Sequence, residues 1–275
     1  MLKQRLITAA VLIPLVMIAV IMLDALLLAG LFAVFICLAA WEWAAMCGYK
    51  AATSRVLYVA LMMVCLSACY LFKDTHLSAI IIVAALIWWP CAMLLVISYK
   101  QDTILALDSR ILKAGIGVLV LVPAWLSLML LHAAEPDGVF YVIFLLTLIW
   151  SADTVAYFSG RRWGKHKLSS VVSPAKSWEG VIGALIVTGL LSLLVAVSTN
   201  MQGIEILIFL AICLITALAS VLGDLFESMI KRYGNLKDSG SLLPGHGGVM
   251  DRLDSLTAAS PVFLAGLWLL KALSS

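Results

Sequence analysis

Long apolar runs dominate the chain, broken by short polar segments. Nine runs read as helices long enough to cross a bilayer: 6–23, 25–46, 57–72, 77–98, 111–133, 139–160, 180–199, 204–230 and 253–273. A spanning helix needs about 20 mostly apolar residues. The first two runs are joined tightly at Asp24, and the third is short. The pattern predicts an all-α polytopic membrane protein of about nine transmembrane helices. Nine spans use most of the 275 residues, so a single integral membrane domain is expected over 1–275. Within it, 1–135 holds the N-terminal spans, and 136–275 holds the C-terminal spans and the longest polar loops. The start MLKQR resembles the basic end of a signal peptide. No small-residue cleavage site precedes the second span, so the first is read as a retained helix.

Composition strengthens this picture. The chain is 64% hydrophobic and 12% charged, with a mean hydropathy of +1.12, well outside the soluble range. Cys37, Cys47, Cys65, Cys69, Cys91 and Cys213 lie in or at the ends of spans without metal-ligand spacing, and read as buried apolar thiols. Trp41, Trp43, Trp88 and Trp89 read as interfacial anchors or packing. Charge then orients the spans. With the N-terminus in the cytoplasm, only Lys73 and Lys271 of the 18 Lys and Arg fall outside. A bias of this kind marks cytoplasmic loops. The two longest polar connections, 161–179 and 231–252, then share the cytoplasmic face, where a water-soluble substrate is expected to be handled.

Acids near the membrane are costly and point to function. Asp153 lies about 14 residues into the sixth span, ~21 Å at the helical rise, in the inner leaflet. Asp224 and Glu227 sit late in the eighth span and share a helix face; Asp251 and Asp254 have the same spacing at the start of the ninth. Three helices thus bring carboxylates to one depth. Such a group serves either to hold a hard cation such as Mg²⁺ or to carry ions and protons. Asp153 has a second reading as an interhelical hydrogen-bonding group, and Glu227 as the intrahelical partner of Lys231.

The loops favour the first use. The stretch KRYGNLKDSGSLLPGHGGVMDRLD, Lys231 to Asp254, gathers five Gly with Lys231, Arg232, Lys237 and Arg252. Glycines let backbone N–H groups close on an anion, and Arg and Lys add charge. Gly-rich, basic and acid-flanked together read as phosphate plus metal. His246 between the glycines is a candidate phosphate donor, acid or base, or a turn residue. In the other loop, SPAKSWEG (173–180) reads as a turn at Ser173 and Pro174 that starts a helix, with Lys176 and Ser177 near its N-terminus. Anionic lipid headgroups are the competing target of that loop. There is no P-loop, dinucleotide-binding glycine motif, HExxH or nucleophile elbow, which disfavours a hydrolase with a covalent intermediate.

The run SMIKRYGNLKDSGSLLPGHGGVMDRLD (Ser228–Asp254) resembles the signature of the phosphatidate cytidylyltransferases, or CDP-diacylglycerol synthases. The order S, K-R, K-D, P-x-H-G-G, D-R-x-D is complete. ASVLGDLFES, SADTVAY, GKHKLSSVVSPAKSWEG and AAWEW extend the resemblance over nearly the whole chain, with Ser177 where Thr is common in the family. The resemblance implies transfer of the cytidylyl group of CTP to phosphatidate, releasing pyrophosphate. It implies Mg²⁺ on Asp224 and Asp251, with Asp254 and Asp153 in the same shell and a monovalent cation such as K⁺ beside it. It places Ser173, Lys176 and Ser177 at the CTP phosphates, counts Glu179 with them as substrate-binding, and places Lys237, Arg252 and the Gly247–Gly248 backbone at pyrophosphate or the lipid phosphate. Asp238 and His246 join Asp224, Asp251, Lys237 and Arg252 as candidate catalytic residues. It further implies a homodimer in the bacterial cytoplasmic (inner) membrane. A transporter is the rival from another class, but it would carry its site near the midplane between repeats, and no inverted repeat is visible. A CDP-alcohol phosphotransferase is disfavoured because its D-G…A-R order of spaced acids is absent.

Overall fold

Each apolar run closes its backbone hydrogen bonds within itself, as a lipid-facing segment must. The computed structural model describes residues 2–99, 109–234, 236–240 and 247–274. Among these, nine helices form: α1 (Leu2–Met22), α2 (Ala25–Met46), α3 (Ala52–Leu71), α4 (His76–Ser98), α5 (Arg110–His132), α6 (Gly138–Trp163), α7 (Trp178–Ser198), α8 (Ile204–Tyr233) and α9 (Met250–Ser274). Eight of them, α2 to α9, are long and apolar enough to cross a membrane, and α1 adds the shorter apolar stretch Ala10–Met22. Short polar side chains set several starts. Asp24 accepts from Leu27 N at 2.8 Å to begin α2, and Ser109 accepts from Leu112 N at 3.3 Å to begin α5.

Helix α5 is the hub: 72% of its apolar window is buried, against 22% for α3 at the rim. Neighbouring helices hydrogen-bond its carbonyls. Trp43 Nε1 donates to Lys113 O at 2.9 Å, Tyr58 hydroxyl to Ala114 O at 2.9 Å, and Trp125 Nε1 of α5 itself to Ala29 O at 3.0 Å. Trp43 and Trp89 are therefore packing residues and not interfacial anchors; both are buried and flank the ring of Phe226. Outward positions such as Ile80, Ile87 and Leu94 of α4 stay exposed, as a lipid-facing surface requires. Burial pushes the Cys47 thiol up to about 12, so it keeps its proton at neutral pH.

Two expectations need correction. The first is the turn at Ser173 and Pro174: β1 (Lys167–Ser169) and β2 (Ser173–Ser177) form a short antiparallel hairpin between α6 and α7 of the otherwise helical chain. Ser173 and Pro174 consequently lie in a strand and do not start a helix. The helix begins five residues later, where Ser177 accepts from Gly180 N at 3.2 Å as the N-cap of α7. A two-stranded ribbon has only edges, so the proline costs no ladder bond there. The last helix also starts at Met250, three residues before its apolar run, which brings Asp251 into its first turn.

Candidate functional site

Contacts across the bundle gather the polar residues at one end. Glu42, near the C-terminal end of α2, meets the first residue of α9; Lys176, just before α7, meets Asp224, late in α8. Arg232 Nε points to Val172 O at 3.4 Å and ties the end of α8 to the hairpin. The C-terminal ends of α2 and α8 and the N-terminal ends of α7 and α9 therefore share a face. Close packing of α8 on α9 adds to this. At Gly223 a side chain would collide with the carbonyl of Asp254, so only glycine lets the two helices approach where Asp224 and Asp254 lie.

Two lysines organise the acids. Lys176 Nζ lies 2.5 Å from Asp224 Oδ2, with both side chains partly open to solvent. Lys231 Nζ lies 2.5 Å from Glu227 Oε2 and 2.6 Å from Asp251 Oδ1, with all three side chains nearly buried. The Glu227–Lys231 pair allowed by their spacing thus forms, and Asp251 joins it from another helix. Glu227 makes this charge contact without a hydrogen bond of normal geometry to either oxygen. Asp251 is better satisfied, accepting from Gly248 N at 2.8 Å and Ser239 N at 3.1 Å. Asp153 and Asp254 stand in the electrostatic field of Asp224 and Lys176. Asp254 is buried and accepts from Ser255 N at 2.7 Å, and Ser255 hydroxyl reaches Asp153 Oδ2 at 3.5 Å.

The remaining candidates divide. Gly247 adopts a left-handed φ of 80°, which leads its neighbour Gly248 onto Asp251. Lys237 and Asp238 are exposed beside this turn. Glu179, in the first turn of α7, pairs with His166, Nδ1 to Oε1 at 2.7 Å. His246 lies outside the described residues. Sequence reasoning gave Glu42 no role, although AAWEW carried part of the resemblance. It is buried and accepts three hydrogen bonds from the chain around Asp251. Its only local signal is that it is an acid in an otherwise apolar span.

Beside the acids lies a cavity of about 290 Å³ between α1, α2, α5, α6 and α9. Leu12, Val16, Phe32, Phe35, Leu146 and Trp150 form its apolar walls. Its charged lining is Asp153, Asp251, Arg252 and Asp254, from α6 and the first turns of α9. The arrangement suits an amphiphile, with an anionic head at Arg252 and an apolar body among the helices.

Fold and site together define a multi-pass integral membrane protein with a charged site at one end of its helical bundle. The chain belongs to the cytidylyltransferase family, whose family model matches residues 3–270. It is 42% identical over 268 residues to a phosphatidate cytidylyltransferase of Pseudomonas aeruginosa, covering 98% of this chain and 97% of that protein. A phosphatidate cytidylyltransferase of Haemophilus influenzae is 37% identical over 280 residues, covering 96% of this chain and 97% of the relative. One from Staphylococcus saprophyticus is 39% identical over 137 residues, covering 50% of this chain and 52% of the relative.

Proposed function

We propose that the chain transfers the cytidylyl group of CTP to phosphatidate, giving CDP-diacylglycerol and pyrophosphate, at the cytoplasmic face of a bacterial inner membrane. The observation that carries the reading is the cavity: its apolar walls lie among the spans, and its charged lining is the D-R-x-D turn of α9 with Asp153 of α6. Full-length similarity to enzymes of that name supports it.

The reaction joins two anions. An oxygen of the lipid phosphate attacks the α-phosphorus of CTP, a new P–O bond forms, and the bond to the pyrophosphate oxygen breaks. The nucleophile is already ionised, so the barrier lies in charge repulsion and alignment. Arg252 suits the lipid phosphate, since a guanidinium binds it through two parallel hydrogen bonds. Lys176, on the strand that leads into α7, suits the CTP phosphates, with Ser173 and the capped start of α7 beside it. Lys237, exposed beside the Gly247–Gly248 turn, suits the departing pyrophosphate, whereas the Gly248 N–H is already given to Asp251. Walls of Phe, Leu and Trp exclude water from the lipid side and strengthen each of these contacts.

The donor set fits Mg²⁺. All four candidates are carboxylates, and no cluster of three or more acid, His or Cys ligands forms among the described residues. Mg²⁺ needs only one or two carboxylates and takes its other oxygens from water and phosphate. Asp224 and Asp251 would hold it, with Asp153 and Asp254 supporting the charge and K⁺ as a companion. Bound there, the ion would neutralise phosphate charge and polarise the phosphoryl oxygen. The distribution of Lys and Arg supports a cytoplasmic N-terminus and active face. We also infer a homodimer.

The test uses purified protein in detergent with phosphatidate and radiolabelled CTP, with and without Mg²⁺. Labelled CDP-diacylglycerol that depends on Mg²⁺ is expected. Folded protein that makes no labelled lipid overturns the proposal and sends the question to ion-flux assays in liposomes.

A further inference from the structure

We propose that Glu42 is a positioning residue of the cytidylyl-transfer site, holding the turn that presents Asp251; the inference rests on the function argued above. Glu42 lies in α2, about 200 positions from its partners, and is 2% exposed. Its Oε1 accepts from Val249 N at 3.1 Å, and its Oε2 accepts from Met250 N at 2.8 Å and from the Ser239 hydroxyl at 3.0 Å. Val249 and Met250 carry N–H groups at the start of α9 that have no partner within the helix. A carboxylate from another helix therefore caps α9, and the residue after the capped pair is Asp251.

Ser239 joins the two acids. Its hydroxyl donates to Glu42 and accepts from Asp251 N at 3.3 Å, while its own N–H donates to Asp251 Oδ2 at 3.1 Å. The glycines fit the same device. A Cβ on Gly240 or on Gly248 would collide with the Glu42 carboxylate, so the loop can close on Glu42 only where side chains are missing. Glu42 thus makes the N-terminal half of the chain part of the site without itself lining the cavity.

The test compares Glu42→Gln and Ser239→Ala with the wild type in detergent. Gln keeps the shape but loses the charge and one acceptor facing three donors. The expected kcat is down about 10- to 100-fold, from losing charge-assisted bonds in a buried place. The Mg²⁺ concentration for half-maximal activity rises, KM for CTP moves less than kcat, and backbone amides of Val249 and Met250 exchange faster. Ser239→Ala is expected to shift the Mg²⁺ midpoint in the same direction, and it decides the matter if Glu42→Gln does not fold. A purely structural Glu42 predicts a different result: fewer folded molecules, each with wild-type kcat and Mg²⁺ midpoint. That result, or unchanged kinetics and exchange in both variants, overturns the proposal. Wild-type protein that makes no CDP-diacylglycerol defeats the function instead. The exchange at Val249 and Met250 needs no turnover, so it still shows whether Glu42 holds the turn.

Discussion

Replacing Lys231 with Met is the sharpest probe of the charge arrangement. Lys231 sits between two carboxylates, at 2.5 Å from Glu227 and 2.6 Å from Asp251, where the side chains of Lys231, Glu227 and Asp251 are 11%, 1% and 11% exposed. Asp251 would keep two backbone N–H donors after the substitution. Glu227 would keep none, since the ammonium is its only close charge partner among the described residues. Stranding one buried charge costs about 3–5 kcal/mol. For a chain of this size that lowers Tm by roughly 6–10 °C.

The contrast is Lys176, whose pair with Asp224 has side chains 24% and 30% exposed. Solvent screening leaves such a pair about 1 kcal/mol or less, so Lys176→Met should leave Tm nearly unchanged. The assay is thermal unfolding in detergent followed by tryptophan fluorescence, in EDTA so that no cation replaces the ammonium. Adding Glu227→Gln to Lys231→Met removes the stranded charge and should recover at least half of the loss. A Tm for Lys231→Met within about 1 °C of wild type would refute the argument. So would a double variant less stable than the single one.

Four further outcomes follow from the same geometry. Asp251→Asn should lower CTP incorporation into lipid by about 100-fold or more with folding intact, because it removes a carboxylate that would hold the cation between the reacting phosphates; near-normal activity removes Asp251 from the metal site. Ser177→Ala should cost about 1 kcal/mol in thermal unfolding by uncapping α7, whereas Ser177→Thr should be nearly neutral. Leu146→Trp fills the apolar wall of the cavity and should raise KM for phosphatidate while leaving KM for CTP unchanged; equal effects on both would count against a lipid in that cavity. Cys47, with its thiol pushed up to about 12 by burial, carries almost no thiolate at pH 8 and should resist iodoacetamide until the protein is unfolded.

What the chain discloses before folding depends on the range of the interaction. The spans are legible because bilayer thickness and backbone hydrogen bonding act on every residue of a run, so α4 at His76–Ser98 nearly matches the expected 77–98. The Glu227–Lys231 pair is legible because it lies within one helical turn. The hairpin was hidden by a local signal that points elsewhere. Ser-Pro announces a helix start, but the backbone of Ser173–Ser177 finds its partner in Lys167–Ser169, and the helix waits for Ser177. The start of α9 was displaced for the opposite reason. Asp251 is the local mark of the start, accepting from Gly248 N, but the N–H groups of Val249 and Met250 are capped by Glu42, about 200 positions away. The acids at 224, 251 and 254 could be assigned to one end of their spans from the apolar runs, but their partners could not. Lys176 reaches Asp224 from a loop, and Ser239 joins Asp251 to Glu42. Depth is set by hydropathy, which is additive along the chain. Pairing is set by which helix packs against which, and here by glycines such as Gly223 that allow two backbones to meet. A site assembled this way keeps its reactive acids on α8 and α9 and draws the geometry of Asp251 from α2, so within the first fifty residues a change at Glu42 should reach the acids, while changes at Leu12, Val16, Phe32 or Phe35 should reach the lipid cavity.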